Sequence, residues 1–360
     1  MRMCYIMTNQ ANKAGVKRIT MTDIAKMAGV SVATVSRVIN DSPGVNDENR
    51  ERIARLIEEL GYQPNFTARN LVHQSTRTIA VINMQTLGQL HAQPASGRML
   101  QCIETVLTNR GYRCTILSRD EFAQDMSELR LVKGGSVDGI LLNGAKLNDP
   151  LALELTRRNY PFVIIGRAIG LVNSHYVDID NVFGAYSAVE SLIRLGHRRI
   201  AHVCGSQQTN LGVERLEGYR RALLDAGLGY NENLVIDAGL TRKEVYASVR
   251  KFFESIDQDR GPTAVFTFND FFAIPVIRAL LDLGLQVPHD VSVIGFDDDE
   301  ASQFLNPPLA SVRAPIYEMG MQAAKMLLKL ISGEQIDSRQ VILQTRVVER
   351  GSLGRPLPPA

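Results

Sequence analysis

Residues 20–40 read TMTDIAKMAGVSVATVSRVIN and predict two short helices joined by a tight turn. Thr20 belongs to the residue types that cap helices, and Asp23 stands three residues later, close to the position that completes a capping box. The first helix then has one small apolar face, made of Ile24, Ala25 and Ala28. Gly29 is expected to end it.

The second predicted helix begins after Ser31, whose hydroxyl can act as its cap. Val35, Val38 and Ile39 recur at spacings of three and four residues and are expected to face inward. The positions left for a partner are Val32, Ala33, Thr34, Ser36, Arg37 and Asn40. Small apolar and hydroxyl groups with one arginine suit phosphates and base edges better than open solvent.

A third helix is predicted from about Asp47, and Gly61 is expected to end it. Its buried stripe is expected to consist of Ile53, Leu56, Ile57 and Leu60. An ordinary helical hairpin would show a similar glycine and serine, but the charge favours a nucleic-acid partner. Residues 1–77 hold 11 of the 40 Lys and Arg but only 7 of the 38 Asp and Glu. A basic module on a nearly neutral remainder is typical of a DNA-binding domain joined to another domain.

This module resembles the DNA-binding domain of the lactose/galactose-repressor family of bacterial transcription regulators. The matching stretches are DIAKMAGVS (23–31), ATVSRVIN (33–40) and GYQPN (61–65). The resemblance implies a domain over residues 19–64 that binds double-stranded operator DNA of near-palindromic sequence. It assigns base contacts to Val32, Ala33 and Arg37. It assigns phosphate contacts to Ser31, Thr34, Ser36 and Asn40.

Residues 65–77 are expected to form a hinge helix and linker. The segment NFTARNL (65–71) is too short to be a stable helix alone. In the resembling family this segment folds on the operator and inserts a leucine into the minor groove. The family pattern makes Leu71 that leucine and includes Asn65, Ala68 and Arg69 among the DNA contacts. The alternative is an ordinary linker whose Leu71 packs on the next domain.

From about residue 78 onward, apolar β-branched runs alternate with amphipathic helices, as in parallel sheets covered on both faces. Strands are predicted at 78–83, 113–117, 137–142, 162–165, 200–204, 263–268 and 291–296. About 270 residues exceed one ordinary domain and favour two lobes. We expect a first lobe of about 78–176 and 309–335 and a second of about 177–308 and 336–350. Residues 1–18 are expected to be a disordered extension and 351–360 a flexible tail.

Ligands in such folds bind beyond the carboxyl ends of the strands, which makes the polar residues that follow the strands candidates. These candidates are Asn83, Gln85, Asn143, Arg167, residues 206–210, Asn269, Asp270 and Asp297. Asp270 can instead cap the helix that follows it. An arginine facing a carboxylate, with amides between them, suits a polyhydroxylated ligand.

The resemblance continues through this region. Its motifs are DIDN (178–181), LGHRRIA (195–201), RLEGY (215–219), FND (268–270), VP (287–288), VSVIGFD (291–297) and PPL (307–309). It implies the two-lobed fold of periplasmic sugar-binding proteins, crossed three times by the chain, with Arg215, Asn269 and Asp297 as effector contacts. The expected fold class is therefore an all-α helix-turn-helix domain followed by an α/β two-lobed, periplasmic-binding-protein-like effector domain.

Three departures leave the identity of the effector open. Gly166 stands where many family members carry an aspartate before Arg167, and Leu240 stands where many carry an aromatic residue. Residues 84–94 lack the usual motif after the first strand. An aromatic platform for a ring is therefore expected to be weakened.

Motifs for catalysis, a metal or a cofactor do not appear in the sequence, and none of these is predicted. The segment Asp297–Glu300 (DDDE) is interpreted as a solvated acidic loop rather than a cation site. Four scattered cysteines, no signal-length apolar start and no run of about 20 apolar residues favour a cytoplasmic protein.

The expected function is that of an effector-controlled regulator, and specifically a repressor of carbohydrate-catabolism genes. It should act as a homodimer, with the helix from Tyr317 to about Ser332 and the exposed first-lobe faces as candidate contacts. The alternatives are a regulator that responds to a nucleobase, nucleoside, sugar acid or sugar phosphate, a sugar-binding module without regulatory role, and an enzyme on the same fold.

Overall fold

The computed structural model describes residues 19–39, 41–62, 75–83, 94–119, 128–146, 148–167, 170–171, 174–256 and 261–357. The chain divides into two compact units between Gln74 and Ser75. Some sequence-based predictions concern positions outside the described residues. These are the extension 1–18, Asn40, the hinge positions Asn65, Ala68, Arg69 and Leu71, and Gln85.

The N-terminal unit contains the three predicted helices, α1 (Met21–Ala28), α2 (Val32–Ile39) and α3 (Asp47–Glu59). The capping box before α1 is confirmed, since Asp23 N donates to Thr20 Oγ1 (3.3 Å) and Thr20 N donates to Asp23 Oδ2 (2.9 Å). Gly29 ends α1 in the left-handed region, with φ of 65°. The local signals in the sequence therefore fix both ends of the first helix.

One small core joins these helices. Its fully or nearly fully buried members are Ile24, Ala25, Ala28, Val35, Ile53 and Tyr62. Val38, Ile39, Leu56, Ile57 and Leu60 pack against them and stay partly exposed. Each helix contributes a single apolar stripe, which leaves the opposite face of α2 in solvent.

The C-terminal unit holds two six-stranded sheets. The first consists of β1 (Thr78–Asn83), β2 (Arg113–Ser118), β3 (Gly139–Asn143), β4 (Phe162–Ile165), β5 (Tyr176–Ile179) and β11 (Gln340–Leu343). Its order is β11-β5-β4-β3-β1-β2, and all its pairings are parallel. This sheet and its helices form the first lobe.

The second sheet forms the second lobe. It consists of β6 (Ile200–Cys204), β7 (Val235–Asp237), β8 (Ala264–Thr267), β9 (Ser292–Asp297), β10 (Ala310–Arg313) and β12 (Arg346–Val348). Its order is β12-β10-β9-β8-β6-β7. Among the strand pairings of the described residues in this sheet, the pairing of β12 with β10 is antiparallel and the others are parallel.

Helices cover both faces of each sheet. In the first lobe they are α4 (Pro94–Thr108), α5 (Leu129–Lys133), α6 (Pro150–Arg157) and α11 (Ile316–Ser332). In the second they are α7 (Asn181–Arg194), α8 (Asn210–Asp225), α9 (Arg242–Ser255) and α10 (Asp270–Asp282). Central strands such as β1, β4 and β8 are buried along nearly their whole length, as expected for parallel sheets covered on both sides.

The chain crosses between the lobes three times, after β5, after β10 and after β11, and the predicted lobe boundaries need correction. Strand β10 belongs to the second lobe, because Ala310 pairs in parallel with Ile294 of β9. Strand β11 belongs to the first, because Val341 pairs in parallel with Val177 of β5. These strands span four residues each and carry no separate turn signal, so composition could not place them.

The predicted flexible tail is wrong for its first residues. Ser352 is fully buried, accepts a hydrogen bond from Ala310 N (2.8 Å) and donates one to Val293 O (2.6 Å). Gly354 N donates to Ser292 Oγ (2.9 Å). The segment after residue 350 is therefore anchored at the amino-terminal ends of β9 and β10.

Helix α11, a candidate dimer contact, packs most of its apolar face inside its own subunit. Its buried stripe is Met319, Gly320, Ala323, Ala324, Met326 and Leu327. Tyr317 at its start is 55% exposed and stays available to a partner. Within the described ranges, no helix combines the length and apolar character that a membrane crossing requires.

Candidate functional site

A cavity of about 210 Å³ lies between the two lobes, at the carboxyl ends of their strands. Asn143 ends β3 on one side, and Asp297 ends β9 on the other. Both lobes contribute wall residues, so a ligand in this cleft would contact both. This position agrees with the general rule for ligands on open parallel sheets.

Arg215 on α8 is the most enclosed charge of the cleft, with 1% of the residue exposed. Its Nε donates to Asn181 Oδ1 (3.1 Å), and its Nη1 donates to Phe268 O (2.6 Å). Its Nη2 donates to Asp297 Oδ1 (3.3 Å). The guanidinium carbon also lies 3.6 Å from the ring centroid of Phe296. Each nitrogen of this side chain therefore has a partner within the protein.

Asp297 is held in an unusual environment. Its φ of 103° lies in the left-handed region, which few residues other than glycine adopt. Burial raises the pKa of its carboxyl to about 6, while the charge of Arg215 opposes that rise. The residue lines the cavity, where its carboxylate can accept a hydrogen bond from a ligand hydroxyl in addition to the one from Arg215.

A second charged cluster continues from Arg215 into the first lobe. Arg167 Nε lies 3.0 Å from Asp178 Oδ2 and 2.7 Å from Glu214 Oε1. Asn181 Nδ2 donates to Glu214 Oε2 (3.2 Å). Burial, and then the charge of Asp178, raise the pKa of Glu214 to about 7. The cluster thus places two carboxylates, those of Asp178 and Glu214, around the guanidinium of Arg167. Asn181 connects it to Arg215, because it contacts both Glu214 and Arg215.

The asparagines at the strand ends differ in their roles. Asn269 Oδ1 accepts from Phe272 N (3.0 Å) and caps α10, while the residue also lines the cavity. Asn143 Nδ2 donates to Asn83 Oδ1 (2.9 Å). Asn83 is fully buried behind the wall, and its Nδ2 has no partner among the described residues.

The structure therefore separates the predicted effector contacts. Those that line the cavity are Asn143, Ser206, Thr209, Arg215, Asn269 and Asp297. Asn83 and Arg167 are not among the residues that line it, but each contacts a wall residue, Asn143 and Asp178 respectively. Asp270 neither lines the cavity nor caps α10, since its carboxylate accepts from Ser302 Oγ (2.6 Å), Ser311 Oγ (2.6 Å) and Asp299 N (2.8 Å). The cap is the residue before it.

Several wall residues were not predicted. They include Ser96, Met99, Lys146, Asp178, Asn181 and Phe268. Asp178 lies in β5 and Asn181 lies just after it, and the sequence did not predict this strand. Leu240 lines the cavity without an aromatic ring, as expected, but Phe268 and Phe272 supply aromatic surface from another element. Gly205 makes room for one of them, because a Cβ there would lie 2.7 Å from the Phe268 ring.

The two lobes touch across the cleft. Lys146 of the first lobe and Thr209 of the second form an antiparallel β-bridge. Asn210 Nδ2 donates to Arg167 O and to Ala145 O. Arg98 Nη2 on α4 lies 2.9 Å from Asp299 Oδ1 of the second lobe. These contacts hold the lobes together around the cavity.

The acidic segment after β9 is not solvated as a whole. The Asp298 carboxylate is 5% exposed and pairs with Arg313 Nε (2.6 Å) and Arg350 Nη2 (2.6 Å). Asp299 pairs with Arg98. Throughout the part of the chain that the structure describes, no group of three His, Cys, Asp or Glu side chains could hold a metal ion.

In the N-terminal unit, α2 presents the predicted DNA-contacting row. Ser31, Val32, Ala33 and Arg37 are exposed, and Thr34 and Ser36 are half-buried. Ser31 Oγ accepts from Thr34 N (3.1 Å) and lies 2.9 Å from Thr34 Oγ1. The cap therefore fixes the start of the helix, where its first residues project outward.

Two segments match known families. Residues 20–65 match the bacterial regulatory proteins of the lacI family, and residues 189–353 match the periplasmic binding protein-like domain. The chain is 37% identical over 338 residues to the HTH-type transcriptional regulator CelR of Thermobifida fusca, covering 93% of this chain and 98% of that protein. It is 35% identical over 338 residues to catabolite control protein A of Priestia megaterium, covering 93% and 99%.

Solved structures agree with the two-part architecture. The complex of the transcriptional regulator CelR with cellobiose matches with a TM-score of 0.72 and 35% identity, over 93% of this chain and all of that one. The lac repressor dimer bound to operator and anti-inducer matches with a TM-score of 0.81 over 93% and 99%, and at 24% identity it bears on the fold alone. The predicted fold class is thereby confirmed, and the chain belongs to the lacI family of bacterial regulatory proteins.

Proposed function

We propose that the protein is a repressor of carbohydrate-catabolism genes that binds a near-palindromic operator as a homodimer. A small neutral sugar in the cleft between the lobes controls its affinity for DNA. The observation that carries this proposal is that one chain combines an exposed DNA-reading helix, α2, with a cleft between two lobes that is lined by apolar, aromatic and polar side chains. A regulator that binds chromosomal DNA would act in the cytoplasm. The proposed role is regulatory and involves no enzymatic reaction.

The cleft favours an uncharged ligand over a sugar acid or phosphate. Each guanidinium nitrogen of Arg215 already has a protein partner, and Arg167 is shared between two carboxylates. The positive charge of Arg215 is already compensated by Asp297, and that of Arg167 by Asp178 and Glu214, while Asp297 would repel an anion. A carboxylate, amides and the apolar faces of Phe268 and Phe272 suit the hydroxyls and ring faces of a sugar. The cellobiose bound by the regulator CelR is a ligand of this class.

In the DNA complex, α2 would lie in the major groove. Arg37 would donate two hydrogen bonds to a guanine, and Val32 and Ala33 would contact neighbouring base edges. Phosphates would be held by Ser31, Thr34, Ser36 and Asn40. The hinge positions Asn65, Ala68, Arg69 and Leu71 would contact the minor groove, with Leu71 inserted between base pairs.

The lobe contacts support a route from sugar to DNA. A ligand that touches Asn143 of the first lobe and Asp297 of the second stabilises one arrangement of the lobes. In a dimer this would reposition the segments that lead to the two DNA-binding units. A coupling of about 1–3 kcal/mol between the two sites is typical of such regulators.

A thermal-shift screen of the full chain tests the effector class. Cellobiose, glucose, glucose 6-phosphate, gluconate and a nucleoside would be compared at equal ionic strength. We expect a neutral sugar to raise Tm, and the Asp297→Asn variant to lose that rise while Arg37→Gln keeps it. A rise with the nucleoside or the sugar acid alone, or a rise that survives Asp297→Asn, would contradict the proposed ligand or its site.

Operator selection from random duplexes followed by gel-shift titration tests the DNA contacts. Arg37→Ala should weaken binding by about 1–3 kcal/mol and relax specificity at one base pair. Arg55→Ala, on the exposed face of α3, is the matched control and should change affinity far less. Leu71→Ala should reduce DNA bending in a phasing assay and leave the thermal unfolding of the protein unchanged. Equal bending by both proteins would show that Leu71 does not enter the base step.

A further inference from the structure

The C-terminal unit begins at Ser75, and residues 75–77 form a joint between the chain that leads to the DNA-reading unit and strand β1. All three residues of this joint contact one carboxylate, that of Asp138. Asp138 is half-buried and stands directly before β3. Neither the lining of the cleft nor the proposed DNA contacts include it.

Asp138 accepts four hydrogen bonds from the joint. Its Oδ1 accepts from Thr76 N (2.6 Å) and from Thr76 Oγ1 (2.7 Å). Its Oδ2 accepts from Arg77 N (2.9 Å) and from Ser75 Oγ. Hydrogen bonds to a carboxylate are stronger than those between neutral groups. Four of them on three consecutive residues therefore hold the joint firmly to the first lobe.

The backbone at Arg77 is strained, and several contacts keep it so. Its φ of 48° lies in the left-handed region, which is costly for a residue other than glycine. The guanidinium carbon of Arg77 lies 5.0 Å from the ring centroid of Tyr112, and Arg77 O accepts from Arg113 N (2.8 Å). A costly conformation persists only where its surroundings impose it. The joint is thus held in one conformation that the free chain would rarely adopt.

We propose that Asp138 is a positioning residue for operator binding, because it locks the joint so that the preceding segment leaves the first lobe in one direction. This inference rests on the proposed function, in which the two readers of a dimer bind two half-sites together. The readers gain affinity from each other only if both reach their half-sites at once. A locked joint keeps that arrangement populated, whereas a free joint takes it only part of the time.

Strand β3 connects this joint with the sugar cleft. Asp138 precedes the strand, and Asn143 at its other end lines the cleft. Five residues of a strand span about 17 Å, so a ligand that contacts Asn143 does not touch the joint. Because β3 pairs with both β1 and β4, the strand and the joint move with the first lobe as one body. A sugar that repositions the lobes would therefore redirect the segment that leads to the reader.

The test compares the full-length protein with its Asp138→Asn variant on two duplexes, the selected operator and the same duplex with one half-site scrambled. The amide has almost the shape of the carboxylate, but its NH₂ group faces the N–H of Thr76 or of Arg77 whichever way it turns. We expect operator affinity to fall about tenfold, which corresponds to a freed joint that takes the binding direction about one third of the time in each subunit.

The scrambled duplex distinguishes positioning from other roles. At low ionic strength a single reader binds its remaining half-site, and this complex does not depend on the direction of the second reader. Affinity for this duplex should therefore stay within about twofold of that of the natural protein. Thr76→Val removes one hydroxyl at nearly constant shape and should show the same pattern to a smaller extent.

Two control variants address stability and direct DNA contact. Ser352→Ala removes a buried hydrogen bond of the second lobe and should keep the affinity for both duplexes. Arg37→Ala removes a proposed base contact and should weaken binding to both. Without DNA, amide hydrogen exchange at Thr76 or Arg77 should become about tenfold faster in Asp138→Asn, because one of these N–H groups loses its acceptor.

Three results would overturn the inference. They are an operator affinity that Asp138→Asn leaves unchanged, equal losses on the operator and the scrambled duplex, and unchanged amide exchange at both positions. A similar loss of operator affinity in Ser352→Ala would also overturn it, since stability and not direction would then explain the effect. A natural protein that selects no operator would instead refute the proposed function itself.

Discussion

Arg215 and Asp297 form a largely buried ion pair in the wall of the cleft. Arg215 Nη2 lies 3.3 Å from Asp297 Oδ1, and the side chains are 2% and 14% exposed. At such burial the cost of removing both charges from water is comparable with their attraction, so the pair adds little net stability. Loss of one partner, however, leaves the other charge buried without compensation. The pair therefore makes the candidate effector site sensitive to single substitutions.

We expect Asp297→Ala to lower the free energy of unfolding by about 3 kcal/mol, because Arg215 loses its opposite charge. The double variant Arg215→Met/Asp297→Leu should recover much of this loss, since no buried charge remains. Urea denaturation of the three proteins measures both effects. Asp337→Ala, which removes a carboxylate that is 92% exposed and pairs with Lys329, should change stability by less than about 1 kcal/mol. A double variant as unstable as Asp297→Ala would show that packing, not charge, dominates.

Glu214 should make stability depend on pH near neutrality. Its folded-state pKa is raised to about 7 from an ordinary value of 4.5, first by burial and then by Asp178. Between these values the folded protein retains a proton that the unfolded chain has released, so stability falls as the pH rises from 4.5 to 7.

The Glu214→Gln variant should reduce this slope, by up to about 1.4 kcal/mol per pH unit if one full proton is involved. Asp270, whose pKa is also raised by burial to about 7, should leave a residual slope. Urea denaturation at several pH values between about 5 and 8 measures the effect. Glu217→Gln, at a half-exposed position of the same helix, is the control and should leave the slope as it is. An unchanged slope in Glu214→Gln would mean that this carboxyl titrates normally.

Ser352 gives a third prediction, because its hydroxyl completes hydrogen bonds of the second sheet. Ser352→Ala should leave the Ala310 N–H buried without an acceptor and should destabilise the protein by about 1–3 kcal/mol. Thermal unfolding monitored by circular dichroism measures the loss. Ser338→Ala removes an exposed hydroxyl of similar size and should have little effect. Two variants of equal stability would mean that the segment after residue 350 contributes no anchoring hydrogen bond.

The reading helix and the central strands could be predicted because their signals are local. Thr20, Gly29 and Ser31 mark helix ends by their own chemistry. The buried strands β1, β4 and β6 are mostly apolar and span four to six residues. In each case a few neighbouring residues determine the structure, and no knowledge of the tertiary contacts is needed.

The lobe boundaries and half of the cleft wall depend on contacts between distant residues. Whether β10 joins one sheet or the other is decided by its pairing with β9 and not by its sequence, ASVR. Asp178 lines the cleft only because β5 takes its place beside β4. Phe268 reaches the cavity because Gly205, far away in sequence, leaves space for its ring. Arg167 was expected to line the cleft, but its guanidinium pairs with Asp178 and Glu214, and the residue is not among those that line the cavity. Periodicity cannot reveal such arrangements.

Gly218 provides the last prediction, because it fixes the approach of α8 to α7. An alanine Cβ at this position would lie 2.3 Å from Val182 O and 2.7 Å from the Ala185 Cβ. In an ordinary helix, glycine to alanine gains about 1 kcal/mol. Here the clash involves backbone, which cannot move aside cheaply, and overpacking of this kind costs about 1–3 kcal/mol.

Gly218→Ala should therefore lower the stability of the C-terminal unit, whereas Gly97→Ala should raise it by about 0.5–1 kcal/mol. Gly97 lies within α4 and is exposed, and an alanine methyl there would meet no described atom within 4 Å outside its own helical turns, so only the helix propensity changes. If close backbone packing governs position 218, urea denaturation should show a lower free energy of unfolding for Gly218→Ala and a higher one for Gly97→Ala. A gain in stability for Gly218→Ala would show that the two helices can separate without cost, and that the α7–α8 contact does not determine the shape of the second lobe.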